Sequence, residues 1–476
     1  MVRITTTPKT LSEVDKKYCR IILTEDSADF HRLVETKDGA LEYRMGAGKR
    51  KSTTMRSFRT LVRSIVQAAK SHQLESIAIH LGPMGCPKLE PLGEEWYFQT
   101  LAENLSLASY EFTHYKSVSK KKKKELKEIL VCGVMSKEAK KGFATGLVIA
   151  VGANHARDVA NTPGDDMTPG MLGNSAKKLL ANLPVKVTVL DEAAIKKLKM
   201  NLLHAVGKGA DDRPRFIIIE YWGAGAPTKA KKAKNPIVLV GKGITYDTGG
   251  LNVKPAGGMH DMHMDMSGGA AVIGAIHALA TLGVKQNVIG LIPAAENSIS
   301  ATSMRAGDIV TSMNGKTVEI LHTDAEGRMV LADALTYAQK FYTPKVIIDC
   351  ATLTGASLVA LGQQASAVLT KNEELQNTLM KLGEESGDLV WPLPLWDEYK
   401  QYLKGTRADI NNVVAPTSRY AGCIEGGTFL SFFVDKKIPW AHIDIAPRME
   451  SIPSDKLAKG AAGEPVRLLV KFVQTQ

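Results

Sequence analysis

From Pro236 onward the sequence alternates short apolar runs with small-residue helical stretches, and this alternation restricts the fold more than any other feature. Ile237-Val238-Leu239-Val240 reads as a buried strand, Gly268 to Leu282 as a helix and Val288 to Ile292 as a strand. Gly327 to Phe341 then reads as a helix and Val346 to Cys350 as a further buried strand. Asn314-Gly315 separates the runs Ile309 to Met313 and Thr317 to Leu321, a strong hairpin signal. Such alternation implies a mostly parallel sheet covered on both faces. In sheets of that kind, sites lie in the loops beyond the carboxyl ends of the strands. The loops between residues 240 and 355 are therefore the place to look for chemistry.

At 476 residues the chain is too long for one ordinary core, so two domains are expected. Residues 1–140 mix short apolar runs, such as Ile77 to Leu81, with helical patterns, such as Phe58 to Ala69. They read as a smaller N-terminal α/β domain. Gly142 to Val159 is apolar and Ala-rich, and residues 141–165 read as a linking helix that Asn161-Thr162-Pro163-Gly164 breaks. Met171 to Leu183 reads as a helix, Val185 to Leu190 as a strand and Pro227 to Asn235 as an exposed connection. Residues 166–476 are expected to form a larger C-terminal α/β domain with a mixed, mostly parallel sheet flanked by helices.

Positive charge gathers in the first half. Residues 1–150 hold 26 Lys and Arg against 17 Asp and Glu, whereas residues 251–476 hold 20 against 23. A basic half can meet a polyanion, so DNA binding by this half is an alternative function. The run Lys120 to Lys124 reads either as a solvated surface turn or as a polyanion contact. Five scattered cysteines, Cys19, Cys86, Cys132, Cys350 and Cys423, make no C-x-x-C pair. That argues for reduced thiols in the cytoplasm and against a cysteine-built zinc site. Neither a signal peptide nor a membrane span is expected, because no apolar run is long enough.

The loops carry an unusual polar set. Lys242 ends the first strand, and Asp247 follows within Gly243-Ile244-Thr245-Tyr246-Asp247-Thr248-Gly249-Gly250. Lys254 comes next, Asp265 stands just before the Gly268 helix, and Asp324, Glu326 and Arg328 alternate before the next helix. In an extended segment, positions i and i+2 share a face, so these last three are expected to look into one cavity. Four converging carboxylates would repel one another unless cations balanced them, and oxygen-rich sites of this type suit paired Zn, Mn or Mg. His260 and His263 offer an i, i+3 pair, and His442, after Trp440, reads as a satisfied core histidine. The loop at Lys242 lacks the G-x-x-x-x-G-K-[ST] order, which excludes a phosphate cradle of that type.

Val240 to Gly250 and Thr323-Asp324-Ala325-Glu326-Gly327-Arg328 resemble the two signature segments of the leucine aminopeptidase family, peptidase M17. The resemblance covers roughly residues 150–476. It includes Met266 to Ala271, Ala351 to Gly355 and Trp440 to Ala446. It implies a leucyl aminopeptidase with two divalent metal ions per subunit, Zn or Mn. Lys242, Asp247, Asp265 and Glu326 would hold one ion; Asp247, Asp324 and Glu326 would hold the other. It further implies that Lys254 polarises the scissile carbonyl and that Arg328 holds a bicarbonate ion. Leu353 would offer its main-chain carbonyl to the substrate amine or the attacking water. Met262, Thr352, Gly355, Ala446 and Met449 would line the pocket for the first side chain. It assigns no ligand role to His260 or His263. Peptide substrates and a homohexamer are likewise implied.

Two departures stand out. His322 occupies a position where the family usually has Asn, and Pro447-Arg448 follows Ala446 where it usually continues with Gly. Other classes are a catalytically dead scaffold and a two-metal phosphatase. All seven expected polar residues are present, which argues against the first. The lysine ligand pattern argues against the second.

Overall fold

The computed structural model describes residues 2–80, 86–117, 124–227, 235–415 and 420–476. Most of the lysine run at 120–124 and most of the 227–235 connection lie outside the described residues, as does Leu81. The chain forms two compact units, residues 1–151 with 451–459 and residues 152–450 with 460–476. The helix read from Gly142 to Val159 spans Lys137–Asn161, and the division falls within it rather than on either side of a separate linker.

In the first unit six strands lie side by side. Their order is Arg3–Thr7, Glu128–Cys132, Ser76–Ile79, Cys19–Thr24, Leu41–Gly46 and His31–Glu35. All neighbours are parallel except the last pair. The helix Met55–Ser71 buries Phe58, Val62, Ile65, Val66 and Ala69, a spacing that keeps one apolar stripe on one face. That stripe packs with Leu101, Ala102 and Leu105 of the helix Gly93–Ser109. The late segment 451–459 is tied into this unit through main-chain oxygens. Arg63 donates to the Asp455 carbonyl at 3.0 Å and Gln67 donates to that of Lys456 at 3.2 Å. Arg63 also donates to Asn104 Oδ1 at 2.6 Å, so one guanidinium joins both helices to the returning segment.

The second unit is built on a mixed sheet of nine strands. At its centre Trp440–Asp444, Val346–Ala351, Ile237–Gly241 and Asn287–Asn297 lie adjacent and parallel, and Gly243–Asp247 pairs in parallel with the end of Asn287–Asn297. Antiparallel neighbours extend the sheet on both sides, through Arg215–Trp222 and Ser366–Thr370. The central strands are buried throughout, for example Ile237 to Gly241 and Val346 to Ala351. This matches their unbroken apolar sequence. Gly327–Phe341 is a helix, and the Asn314-Gly315 turn joins antiparallel Ile309–Thr311 and Thr317–Glu319.

The helix Ser267–Thr281 is rich in Gly and Ala because it lies against the strand ends. A Cβ on Gly268 would sit 2.2 Å from the Cys350 carbonyl oxygen, and one on Gly241 would sit 2.4 Å from that of Gly268. No larger residue fits either position without moving backbone. The close approach brings the start of this helix, with Asp265 just before it, onto the carboxyl edge of the sheet.

Two central strands also carry a buried polar group. Trp440 Nε1 donates to Asp349 Oδ2 at 2.7 Å, and His442 Nδ1 pairs with Asp349 Oδ1 at 2.5 Å. His442 is thus only half satisfied: among the described residues its buried Nε2 has no hydrogen-bond partner. Burial alone would lower the imidazole pKa, but the Asp349 carboxylate outweighs it and holds the value above the ordinary 6.5. The pair's contribution to stability is therefore complete below about pH 6.5 and is lost as pH rises through the raised folded value. His442→Gln removes the titrating group. The difference in unfolding free energy between wild type and this variant, measured in urea, is expected to be largest below pH 6.5 and to narrow as pH rises above it. A constant difference would rule out the ion pair.

Candidate metal centre

Five peptide segments meet at the carboxyl edge of the central strands. Lys242 follows Ile237–Gly241, Asp247 ends Gly243–Asp247, and Thr352 follows Val346–Ala351. Asp265 precedes Ser267–Thr281, and Asp324 and Glu326 precede Gly327–Phe341. Asp247, Asp265 and Glu326 each offer a carboxylate oxygen, and these oxygens lie within 4.8 Å of one another. All three side chains are essentially buried, at 2–3% exposure.

Two ammonium groups share the cluster. Lys242 Nζ lies 2.8 Å from Asp265 Oδ2, 2.9 Å from Glu326 Oε1 and 2.9 Å from the Thr352 carbonyl oxygen. Lys254 Nζ lies 2.8 Å from Asp247 Oδ2 and 2.6 Å from Asp324 Oδ1. Gly327 makes room for the first of these. A Cβ there would stand 2.6 Å from Lys242 Nζ.

The electrostatics record too much buried negative charge. Burial, reinforced by Glu326 and Asp247 and opposed by Lys242, pushes the Asp265 carboxyl up to about 8. Burial, with Asp247 and Glu326, pushes Asp324 up to about 7. Asp247 is also penalised by burial, but Lys254 and Lys242 more than offset that and hold it low. Burial pulls Lys242 and Lys254 down, yet the carboxylates around them outweigh it and hold both ammonium groups charged. Among the described residues, Asp265 Oδ2 and Asp324 Oδ1 remain buried without a hydrogen bond, although an ammonium is near each. Converging oxygens, unfulfilled acceptors and carboxyls forced towards protonation form a donor set that divalent cations fit. Lys242 could join it only as the neutral amine, so metal entry would have to displace its proton.

Asp324, Glu326 and Arg328 do not share one extended segment, contrary to the expected alternation. Residues 323–324 form a turn, Glu326 is already in the right-handed helical region, and Arg328 lies inside the helix. The turn delivers Asp324 to Lys254 and Glu326 to Lys242. Arg328 instead donates from Nη1 to the Asn412 carbonyl at 2.8 Å. Its charged neighbours are Glu425, Glu326 and Asp444, and burial lowers its pKa. His260 is exposed and faces Asp261 at 3.8 Å, outside the carboxylate cluster.

Of the remaining expected residues, Thr352 donates its hydroxyl to Asp265 Oδ1 at 2.7 Å. Met262 begins the short helical turn Met262–Met264 that leads to Asp265, whose N–H reaches the Met262 carbonyl at 3.4 Å. Leu353 and Ala446 share one partner, Asp444. Around Gly355 a Cβ would meet none of the described atoms within 4 Å. Met449 follows the Ala446–Arg448 turn and is half-buried. At the two departures, His322 Nδ1 accepts from the Asp324 N–H at 3.3 Å. Arg448 turns to Glu464 at 2.7 Å and to the Gln363 carbonyl at 2.7 Å.

Several polar residues that sequence reasoning missed hold these groups in place. Asn297 Nδ2 donates to Asp247 Oδ1 at 2.8 Å and to the Thr323 carbonyl at 3.1 Å. Thr323 Oγ1 donates to the Gly249 carbonyl at 2.6 Å and accepts from the Asn252 N–H at 2.8 Å. Asn412 receives the Leu321 N–H at 2.8 Å and donates to the His322 carbonyl at 2.7 Å. Removing such a supporting contact typically costs 10–100-fold in metal affinity. Asn297→Ala is expected to weaken Mn²⁺ binding by roughly that factor in a chelator-competition titration. Unchanged affinity would show that Asp247 keeps its orientation without Asn297.

Comparison with known proteins fits this arrangement. Residues 154–470 match the family model "Cytosol aminopeptidase family, catalytic domain", and residues 43–119 match the model for its N-terminal domain. A probable cytosol aminopeptidase of Roseiflexus castenholzii is 40% identical over 437 residues, covering 90% of this chain and 86% of that protein. One from Chlorobaculum tepidum is 39% identical over 427 residues, covering 86% of this chain and 82% of that protein. Among solved structures, the bottromycin maturation enzyme BotP in complex with Mn superposes with a TM-score of 0.84 at 29% identity, covering 100% of this chain and 99% of that one. With its catalytic-domain model spanning most of the chain and relatives of this similarity, the chain belongs to the cytosol aminopeptidase family of metallo-exopeptidases.

Proposed function

We propose that this chain is a two-metal aminopeptidase that removes single N-terminal residues from peptides, with a preference for Leu and Met. The observation that carries the reading is the buried Asp247, Asp265 and Glu326 cluster, crossed by Lys242 and extended to Asp324 by Lys254. Two dications, Zn or Mn, would balance the four carboxylates there. They would supply Lewis-acid activation of water and of the scissile carbonyl.

The chain's own groups divide the remaining work. Lys254 is held charged at the edge of the cluster, with its side chain 15% exposed, so it can still meet a substrate. Its ammonium would donate to the oxygen that gains charge as the carbonyl carbon becomes tetrahedral. The main-chain carbonyl of Leu353 would accept from the substrate's amino group and fix its register. Arg328, buried and anchored at Asn412, would hold a bicarbonate ion, which would supply a proton acceptor for the attacking water. Homohexamer assembly is proposed from the resemblance to the family. A cytoplasmic location draws support from five buried free cysteines and from the relatives' printed name. No described helix is long and apolar enough to cross a membrane.

Chelation should abolish hydrolysis of leucine-p-nitroanilide, and Zn²⁺ or Mn²⁺ should restore it. Full activity in a preparation shown by elemental analysis to be metal-free would defeat the proposal. Lys254→Ala should lower kcat by roughly 10²–10³-fold, as loss of one transition-state donor does, with a smaller change in KM.

Selectivity follows from the proposed pocket. Met262, Thr352, Gly355, Ala446 and Met449 present no charge, and two methionines give an adaptable apolar wall. Burying a Leu or Met side chain there is worth ~1.5–3 kcal/mol. Arg448 would reverse this order if it faced the substrate, but its guanidinium is occupied by Glu464 and the Gln363 carbonyl. An Asp side chain would therefore lose hydration with no cationic partner. The kcat/KM values for a panel of aminoacyl-p-nitroanilides are expected to rank Leu and Met far above Asp and Gly. An Asp preference would sink the apolar pocket.

A further inference from the structure

Asp444 ends the Trp440–Asp444 strand and is fully buried. Its carboxylate collects donors from two separate loops. Oδ1 accepts the N–H groups of Leu353 at 3.1 Å, Thr354 at 3.4 Å and Ala446 at 3.2 Å. Oδ2 accepts the Thr354 hydroxyl at 2.6 Å. Among the described residues no Lys or Arg forms an ion pair with it. A carboxylate is an acceptor only, with room for about four donors, and three main-chain N–H groups of fixed direction and one hydroxyl meet it here. The Thr354 hydroxyl bond, at 2.6 Å, has the short length of a bond to a charged acceptor, and the three N–H contacts are longer.

The two loops are those that carry the substrate-facing residues. Thr352, Leu353 and Gly355 follow one strand, and Ala446 and Met449 follow its parallel neighbour. The strands fix the loop stems about 4.8 Å apart, but beyond Ala351 and Asp444 the sheet no longer sets the spacing. One main-chain bond continues, from the Ile445 N–H to the Ala351 carbonyl at 2.8 Å. Past that point the Asp444 side chain joins Leu353 and Thr354 to Ala446. On the proposed aminopeptidase reading, we infer that Asp444 is a positioning residue for specificity: it sets the gap between the Leu353–Thr354 loop and the Ala446 turn. That gap fixes how large a first side chain the enzyme accepts.

The reason is chemical rather than steric. Asp444→Asn keeps the shape but removes the charge, and its NH₂ can face only the Thr354 hydroxyl, which must turn to accept; the hold on Leu353, Thr354 and Ala446 slackens. Thr354→Val removes only the hydroxyl, keeps the branched shape, and leaves the metal-facing Thr352 untouched. Thr354→Ser keeps the hydroxyl, which also accepts from the Ser357 N–H at 3.3 Å at the start of the next helix.

The test compares kcat and KM for Leu-, Met- and Ala-p-nitroanilide in wild type, Asp444→Asn, Thr354→Val and Thr354→Ser. Metal content and thermal unfolding are measured on the same preparations. Pocket contacts worth one or two methylenes change discrimination by 10–200-fold. The Leu-to-Ala ratio of kcat/KM is therefore expected to fall about 10-fold in Asp444→Asn, chiefly through KM for Leu. Thr354→Val should move it the same way by about 3-fold, and Thr354→Ser should restore it, since one buried hydrogen bond separates the two. Metal content should stay at the wild-type value. If kcat falls equally for every substrate while the ratio holds within about twofold, Asp444 is structural only and the inference fails. Should Asp444→Asn not fold, the Thr354→Val and Thr354→Ser pair decides the matter by the same ratio. A metal-loaded wild type that cleaves none of the substrates overturns the aminopeptidase reading itself, and this inference with it.

Discussion

The structure depends on keeping several carboxylates together out of water. Three of them present oxygens within 4.8 Å of one another at 2–3% exposure. Isolated ionised carboxylates cannot be buried without partners. Everything around them answers that cost. Lys242 and Lys254 stand between the acids, a glycine at 327 clears space for one of these lysines, and Asn297 donates to Asp247. The small-residue helix Ser267–Thr281 can lie against the sheet closely enough to present Asp265. A scaffold of short parallel strands suits the task because its carboxyl edge gathers loops that are far apart in sequence.

How much of this was legible in the sequence varied with the physics of each part. Buried strands and the helix at Gly327–Phe341 announce themselves through unbroken apolar runs and a 3.6-residue period. The lysines and carboxylates were legible as charged residues in loops that follow strands. Their grouping was legible only through the family resemblance, because spacing alone does not bring them together. The extended reading of 324–328 is wrong because the chain already turns at 323–324 and enters the helix at 327, which tertiary contacts with Lys242 and Lys254 decide. The supporting asparagines were invisible for a different reason. Asn297 and Asn412 bond main-chain groups and neighbours 26 to 91 positions away, and such bonds leave no periodicity or spacing. His442 was half legible: a core position could be inferred, its Asp349 partner on the next strand could not.

Arg448 shows how a departure in sequence can be neutral in charge. A cation three residues before Ser451 and two after Ala446 looks able to reach a substrate. In the fold it is held by Glu464, while Arg467 pairs with Asp388 close by at 2.5 Å. The charge is absorbed by the protein's own acids and adds no free cation to the proposed side-chain pocket.

The segment 451–459 has a bearing on how the chain is made. Arg63 and Gln67 take as acceptors the carbonyls of Asp455 and Lys456, almost four hundred positions downstream. On a ribosome, the first unit must therefore persist unfinished while the whole central sheet of the second is synthesised, and it closes only when residue 459 has emerged. Nascent chains stalled anywhere between residues 151 and 450 would display an open face at this place. A fragment cut at the apparent boundary would lack both of these bonds permanently.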